Sequence, residues 1–340
     1  MQSMSYVFFD LEWNQGYPRN EAEKIDEIIQ IGAHRLDRWE EPGTSFSAYV
    51  RPSIHKRLHH QVRKILPLHQ SQLKRAGTFR EVISEFFRWC GPDPVFFTWG
   101  TCDARVLDTN LCWYGMEEYL DLEIYDLQRA FDLLVLETNR QTSLEAAVTA
   151  LGLDGSLTYH DAGNDAIYTA RIGAELIRRF GALPSAAELD AAQAALRLRQ
   201  QQEAAEEAAH ALDLLVRDAT PALRRRSGPF PGEAASLHSR SARMFPCPAC
   251  GGVLCSGSWY RIGARYVSQS RCGEHGRFYS VLSVKPTSPD EIAGELLVFS
   301  EEDFPRELYH QCRLGGELVE MQKLPRKRRR RRHSGERKRA

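Results

Sequence analysis

Over the first fifty residues, apolar and polar positions alternate in runs of strand length. Residues 5–13, 27–36 (EIIQIGAHRL) and 44–51 (TSFSAYVR) are separated by short polar stretches, which predicts three consecutive strands in a meander. From 54 to 91 the spacing lengthens to three and four. There Thr78 is placed to cap FREVISEFFRWCG, and Gly91-Pro92 stops it. VFFTW (95–99) reads as a short buried strand, helical spacing resumes after Gly100, and LDLEIYDL (120–127) is a further strand candidate. Two helices follow, SLEAAVTALG (143–152) and NDAIYTARIGAELIRRF (164–180), separated by the loop LDGSLTYHDAG. Three strands and then alternating helix and strand predict an α/β fold, a mixed sheet flanked by helices.

Past Gly181 the texture changes. The first domain is expected over 1–182 and an Ala/Glu-rich helix, exposed or weakly docked, over 183–217. The stretch 218–243, rich in Pro, Gly, Ser and Arg, reads as a flexible linker. A small β-rich cysteine module is expected over 244–322, and a disordered basic tail over 323–340. The apolar fraction of 42% is enough for packed cores, and no apolar run approaches the length of a membrane span. The expectation is a cytoplasmic protein without a membrane partner. A formal net charge of zero hides an asymmetry: residues 323–340 carry 11 Lys or Arg and one acid, against 34 basic and 44 acidic residues before them. An acidic body with a cationic end points to an anionic partner at the tail.

The run VFFDLEWNQ (7–15) sets two acids, Asp10 and Glu12, into the most apolar stretch of the first fifty residues. In a strand both lie on the face of Phe8, and Val7, Phe9, Leu11 and Trp13 lie on the other. Two ionised carboxylates so close repel, and one takes up a proton unless a cation compensates both. A strand end with a wet polar face is the simpler alternative. Further acids fall at a strand end and a helix start: Asp103 just past VFFTW, and Asp165 in the segment that opens the 164–180 helix, with His160 in the loop before it. Sites in α/β sheets gather at such places. Asp161 is expected to be a loop residue and Asp126 a helix N-cap. The histidines of IHKRLHHQ and His69 are expected to be solvated.

FDLEWN, WGTCD and H-DAGN-D together resemble the three motifs of the DEDDh branch of the DnaQ-like 3′–5′ exonucleases, over about residues 4–181. EIIQIGA and SLEAAVTALGL agree, and DLEWNQ and TWGTCD are similar to bacterial relatives of RNA-trimming exonucleases. Cys102 stands where an aromatic residue is more usual. The resemblance implies a ribonuclease H-like fold and a metal-dependent 3′–5′ exonuclease that releases nucleoside 5′-monophosphates. Single-stranded 3′ ends would be its substrate, with RNA favoured over DNA. Asp10, Glu12, Asp103 and Asp165 would hold two Mg²⁺ or Mn²⁺ ions ~3.5–4 Å apart. His160 would be the general base, and Trp13 and Asn14 would touch the terminal nucleotide, although Trp13 fits core packing equally well. A DNA proofreading or repair exonuclease, and a scaffold that binds nucleic acid or ribosomes without cleavage, are the alternatives.

Of eight cysteines, Cys90, Cys102 and Cys112 are scattered and four crowd one segment. FPCPACGG with Cys247 and Cys250, and SRCGEHGRF with Cys272 and His275, make a C-x2-C…C-x2-H set that fits one structural Zn²⁺ of the ribbon type, with Cys255 as a substitute ligand. A module this small is expected to draw folding energy from the metal. Between the two pairs, Trp259, Tyr260 and Tyr266 interleave with Arg261 and Arg265, either as a platform for single-stranded bases or as the module's own core. The tail offers phosphate contacts to nucleic acid or to a ribosome.

Overall fold

Strand β1, Ser5–Asn14, runs through the middle of the first sheet and is covered on both faces. It pairs antiparallel with β2, Glu27–Asp37, which pairs with β3, Glu40–Tyr49. On its other side β1 lies parallel to β4, Val95–Thr98, beside β5, Ile124–Asp126, in the order β3-β2-β1-β4-β5. The computed structural model describes residues 5–15, 25–37, 40–55, 57–66, 68, 70–120 and 122–319. His69 and the basic tail lie outside the described residues.

Alternation along β1 feeds two cores. Val7, Phe9 and Leu11 pack with Phe79, Val82, Ile83 and Phe86 of α3, Phe79–Cys90. Phe8 packs on the opposite face with Phe131 of α5, Leu127–Leu134, Val148 of α6, Leu144–Leu151, and Tyr168 of α7, Ala162–Phe180. A strand buried on both faces reads as a continuous apolar run, which is why VFF precedes the acids. Two short helices, α1, Val62–Ile65, and α2, Gln70–Arg75, follow β3, and α4, Cys102–Trp113, follows β4. Thr78 and Glu81 form a full capping box on α3, Asp126 caps α5 as expected, and Ser143 caps α6. The strand expected over 120–127 contracts to the three residues of β5.

The chain divides into two compact units, Met1–Leu196 and Arg197–Ala340, and the division falls inside α8, Ala186–Asp218. The first unit thus extends past the expected limit at 182. In the second unit an antiparallel sheet has the order β13-β9-β10-β11-β12-β6. Its strands are β6, Leu223–Phe230; β9, Trp259–Ile262; β10, Arg265–Cys272; β11, Gly276–Ser288; β12, Glu291–Ser300; and β13, Glu317–Val319. On one face Val267, Leu297 and Phe299 pack against Ala208 and Leu212 of α8 and Leu308 of α11, Arg306–Gly315. On the other, Trp259, Tyr266 and Leu282 pack against Leu237 of α9, Glu233–His238, and Ala242 of α10, Arg240–Arg243. The hairpin of β7, Met244–Pro246, and β8, Val253–Cys255, adds Phe245 and Leu254 to that core.

Two expectations change here. Residues 218–243 hold β6, α9 and α10 rather than a linker. An edge strand needs its partner's backbone more than apolar side chains, so Arg224, Arg225 and Arg226 point to solvent while the main chain pairs with β12. The C-terminal module is also larger than a ribbon, because β6 and the end of α8 complete a two-faced core. Among the described residues no helix is long and apolar enough to cross a membrane.

Candidate active site

Asp10 and Glu12 lie where β1 outruns its parallel neighbour, since pairing with β4 stops at Phe8 and Phe97. The β1 amide of Leu11 finds its acceptor in a side chain instead: it donates to Asp103 Oδ1 at 3.0 Å. This bond ties the first turn of α4 to the strand between the two acids. Opposite Asp10 on β2 stands Gly32. A Cβ there would lie 2.0 Å from the carbonyl carbon of Ala162, so only glycine lets the start of α7 rest on the sheet. That approach carries Asp165 to the acids of β1. Asp165 Oδ2 accepts the backbone N–H of His160 at 3.1 Å, and His160 turns the chain in the left-handed region at φ 61.

Asp161 is the N-cap of α7 rather than a plain loop residue. Its Oδ1 accepts from Asn164 N, and its Oδ2 accepts from the side-chain amide of buried Gln30, both at 3.1 Å. Sequence reading passed over Gly32, Gln30 and Asp161. The available signals were a polar residue and a glycine inside the apolar run EIIQIGA, and an aspartate four residues ahead of Asp165.

The five acids converge in a poorly solvated place. Asp103 is 5% and Asp165 8% exposed, while Asp10 and Glu12 are half-buried. Burial, reinforced by Asp103, Asp165, Glu12 and Asp161, holds the Asp10 carboxyl well above the usual range. Burial and then the negative charges of Asp165, Asp103 and Asp161 push Glu12 up to about 8. Burial also lifts Asp103 and Asp165 to about 7 each, against the pull of the Leu11 and His160 amides. The second oxygen of Asp165, Oδ1, is buried without a hydrogen-bond partner. Ligand atoms of Glu12, His160 and Asp165 lie within 4.8 Å of one another. Clustered carboxylate oxygens with an unsatisfied acceptor suit a hard divalent cation.

Asn14 does not face a substrate. It is fully buried, its amide donating to Arg57 O at 3.1 Å and accepting from His59 N at 2.8 Å, so it pins the segment after β3. Trp13 serves two ends: it packs against the Val7–Leu11 core and lines a cavity of about 530 Å³ with Glu12, Gln61, Lys64 and Leu66. His55 is not simply solvated, because its Nε2 lies 2.9 Å from Ile25 O.

In the second unit, ligand atoms of Cys247, Cys250, Cys272 and His275 also fall within 4.8 Å of one another. Cys255, exposed on β8, is outside this set. Trp259 and Tyr266 are 0% and 3% exposed, so neither offers a ring face to a base. Alternation on β9 and β10 turns both inward beneath α9 and the β7–β8 hairpin. Tyr260 is half-buried, edge-on to Tyr309, and exposed Arg261 pairs with Glu233 at 3.9 Å.

Residues 7–172 match the RNase_T exonuclease family model. No curated protein matches the chain. Among solved structures, the nuclease domain of 3′hExo, a DEDDh family member bound to rAMP, shares 21% identity at a TM-score of 0.49, over 54% of this chain and 96% of that one. Cell-death related nuclease 4 (CRN-4) shares 17% at 0.44, over 52% and 64%. The zinc-bound E. coli ExoI–ssDNA complex shares 12% at 0.42, over 92% and 68%.

Proposed function

Starting from the DnaQ-like exonuclease domain that residues 7–172 form, we propose that this protein is a metal-dependent 3′–5′ exonuclease that shortens single-stranded ends, RNA above DNA. The observation that carries the reading is the set of buried, mutually repelling carboxylates of Asp10, Glu12, Asp103 and Asp165. Such a set is unfavourable unless cations are held there, and Mg²⁺ or Mn²⁺ fits its oxygen donors and the unpartnered Asp165 Oδ1. When bound, the ions supply charge neutralisation at the phosphate and a more acidic water.

The remaining work falls to the chain. A ring nitrogen of His160, beside Glu12 and Asp165, takes the proton of the attacking water. The water oxygen bonds to phosphorus, the bond from phosphorus to the 3′ oxygen breaks, and that oxygen leaves with a proton. The products are a nucleoside 5′-monophosphate and a chain one residue shorter. Exposed His160 can exchange its proton with solvent between turnovers. The half-buried Trp13 ring offers a stacking face at the cavity beside Glu12, and Lys64 a phosphate contact. The basic residues of 323–340 add sequence-independent, salt-sensitive attraction to the polyanion. The RNA preference rests on the likeness of DLEWNQ and TWGTCD to RNA-trimming relatives.

The test is incubation of the full chain with 5′-labelled single- and double-stranded RNA and DNA in Mg²⁺ or Mn²⁺. A ladder shortening one nucleotide at a time from the 3′ end of RNA, faster than of DNA, is expected. Faster shortening of DNA would overturn the substrate class, and no shortening in either metal would overturn the enzyme.

A further inference from the structure

The second unit carries a cation site of different chemistry, independent of the exonuclease reading. Two tight turns face each other at the rim of its sheet. One joins β7 to β8 and presents Cys247 and Cys250; the other joins β10 to β11 and presents Cys272 and His275. The gap from Cys250 Sγ to Cys272 Sγ is 3.8 Å, from Cys272 Sγ to His275 Nδ1 3.6 Å, and from Cys247 Sγ to His275 Nδ1 4.0 Å. A tetrahedral zinc with Zn–S of ~2.3 Å and Zn–N of ~2.0 Å requires edges of ~3.8 Å between sulfurs and ~3.5 Å between sulfur and nitrogen. The observed edges are those of a single ion's shell. Four donors packed this closely leave no room for an iron–sulfur cluster, whose metals and sulfides spread the ligands apart.

The backbone is arranged for thiolates as well. Cys250 Sγ accepts the N–H of Gly252, two residues on, and Cys272 Sγ accepts that of Glu274, again two residues on. Gly251 turns at φ 75, and a Cβ on Gly252 would stand 3.3 Å from Cys250 Sγ. The two turns thus repeat one design, with N–H groups aimed at sulfur where negative charge is to be held.

We propose that Cys247, Cys250, Cys272 and His275 bind one zinc ion that clamps the β7–β8 hairpin to the β10–β11 turn. The clamp is local. The sheet's two cores, built on Trp259, Tyr266 and Leu282 on one side and Val267, Leu297 and Phe299 on the other, do not depend on the four donors alone. Cys250 and His275 are exposed, so the ion is open to chelators and to exchange. This unit therefore stays folded when stripped, in contrast to small zinc modules that unfold without metal.

The experiment uses the full chain and the metal alone. Elemental analysis should find one zinc per chain, and replacement by Co²⁺ should give the intense near-ultraviolet thiolate band and tetrahedral visible bands that oxygen-ligated Co²⁺ in the first unit cannot give. Cys272→Ser, and Cys250→Ser and His275→Ala at exposed positions, should each lower zinc content at least about tenfold, whereas Cys255→Ser should leave it unchanged. After chelation, the amides of Cys247 and Gly251 should lose hydrogen-exchange protection while those of Val267 and Val281 keep theirs. A zinc-free protein with no thiolate band on Co²⁺ addition would overturn the site, as would full zinc content in Cys250→Ser and His275→Ala together. Loss of protection throughout the sheet on stripping would overturn the local clamp.

Discussion

The two units place reactive groups at the ends of strands, yet in opposite relation to their cores. In the first, acids are driven inward: Asp103 and Asp165 are buried, and Gly32 gives up a side chain so that α7 can press Asp165 toward Asp10. In the second, soft donors sit on two turns at the sheet's rim, with Cys250 and His275 open to solvent. The first site works against the stability of the unit that holds it, since burial and mutual repulsion both disfavour its charged form. The second is added to a core that stands without it. Functional sites are where consistency between local and global preferences is expected to break, and here only one of the two breaks it.

The largest effect should come from removing one buried charge while keeping its shape. Asp103→Asn retains an acceptor for the Leu11 amide but not the charge, so hydrolysis of labelled RNA should fall to background. Thermal melting of the metal-free protein should rise at the same time, because one repelling carboxylate is gone. No comparable gain is expected from Cys250→Ser. Activity within a few-fold of the parent in Asp103→Asn would break the comparison.

Next in size, His160→Ala should lower turnover by roughly 10²–10⁴ and leave Mn²⁺ affinity nearly intact. Affinity measured by calorimetry decides the matter: a loss parallel to turnover would make His160 a ligand.

Gly32→Ala should cost about 1–3 kcal/mol of unfolding free energy, because its methyl group meets the Ala162 backbone, and should lower activity by shifting Asp165. At Gly273, between Cys272 and Glu274, nothing lies within 4 Å of an added Cβ. Gly273→Ala should change stability by less than about 0.5 kcal/mol. Chemical denaturation of the two variants gives the contrast directly.

The smallest effect is a pH dependence. Glu12, Asp103 and Asp165 titrate at about 8, 7 and 7 in the folded chain, above their ordinary values. Between the unfolded and folded values the native state binds more protons, so the metal-free protein should lose stability as pH rises from about 4.5 to about 8. Saturating Mg²⁺ should flatten this slope by favouring the ionised form. Melting curves at pH 5.5 and 8.5, with and without Mg²⁺, would show it.

What was legible in the chain followed local rules. Strand alternation put Asp10 and Glu12 on one face, Thr78 with Glu81 spelled a capping box, and Asp126 is the cap its position promised. The spacing of the cysteines and His275 matches donors that the fold brings together. What was not legible depends on partners distant in sequence. Three consecutive arginines in β6 look like linker until β12 supplies their hydrogen bonds. Trp259 and Asn14 look available to a ligand until a helix and hairpin cover one and the Arg57–His59 backbone claims the other. Asp161 and Gln30 acquire meaning only when α7 meets β2.

The central claim is that the buried carboxylates are a cation seat. It is tested most directly by calorimetric titration of the zinc-loaded full chain with Mn²⁺ near pH 7.5, in two buffers of different ionisation enthalpy. Groups titrating at about 7 to 8 are still partly protonated there, so binding must expel protons. The account predicts a heat that differs between buffers, reporting about one proton released per chain, and its disappearance in Asp10→Asn with Asp103→Asn. Equal heats in the two buffers, or unchanged binding in the double variant, would contradict it.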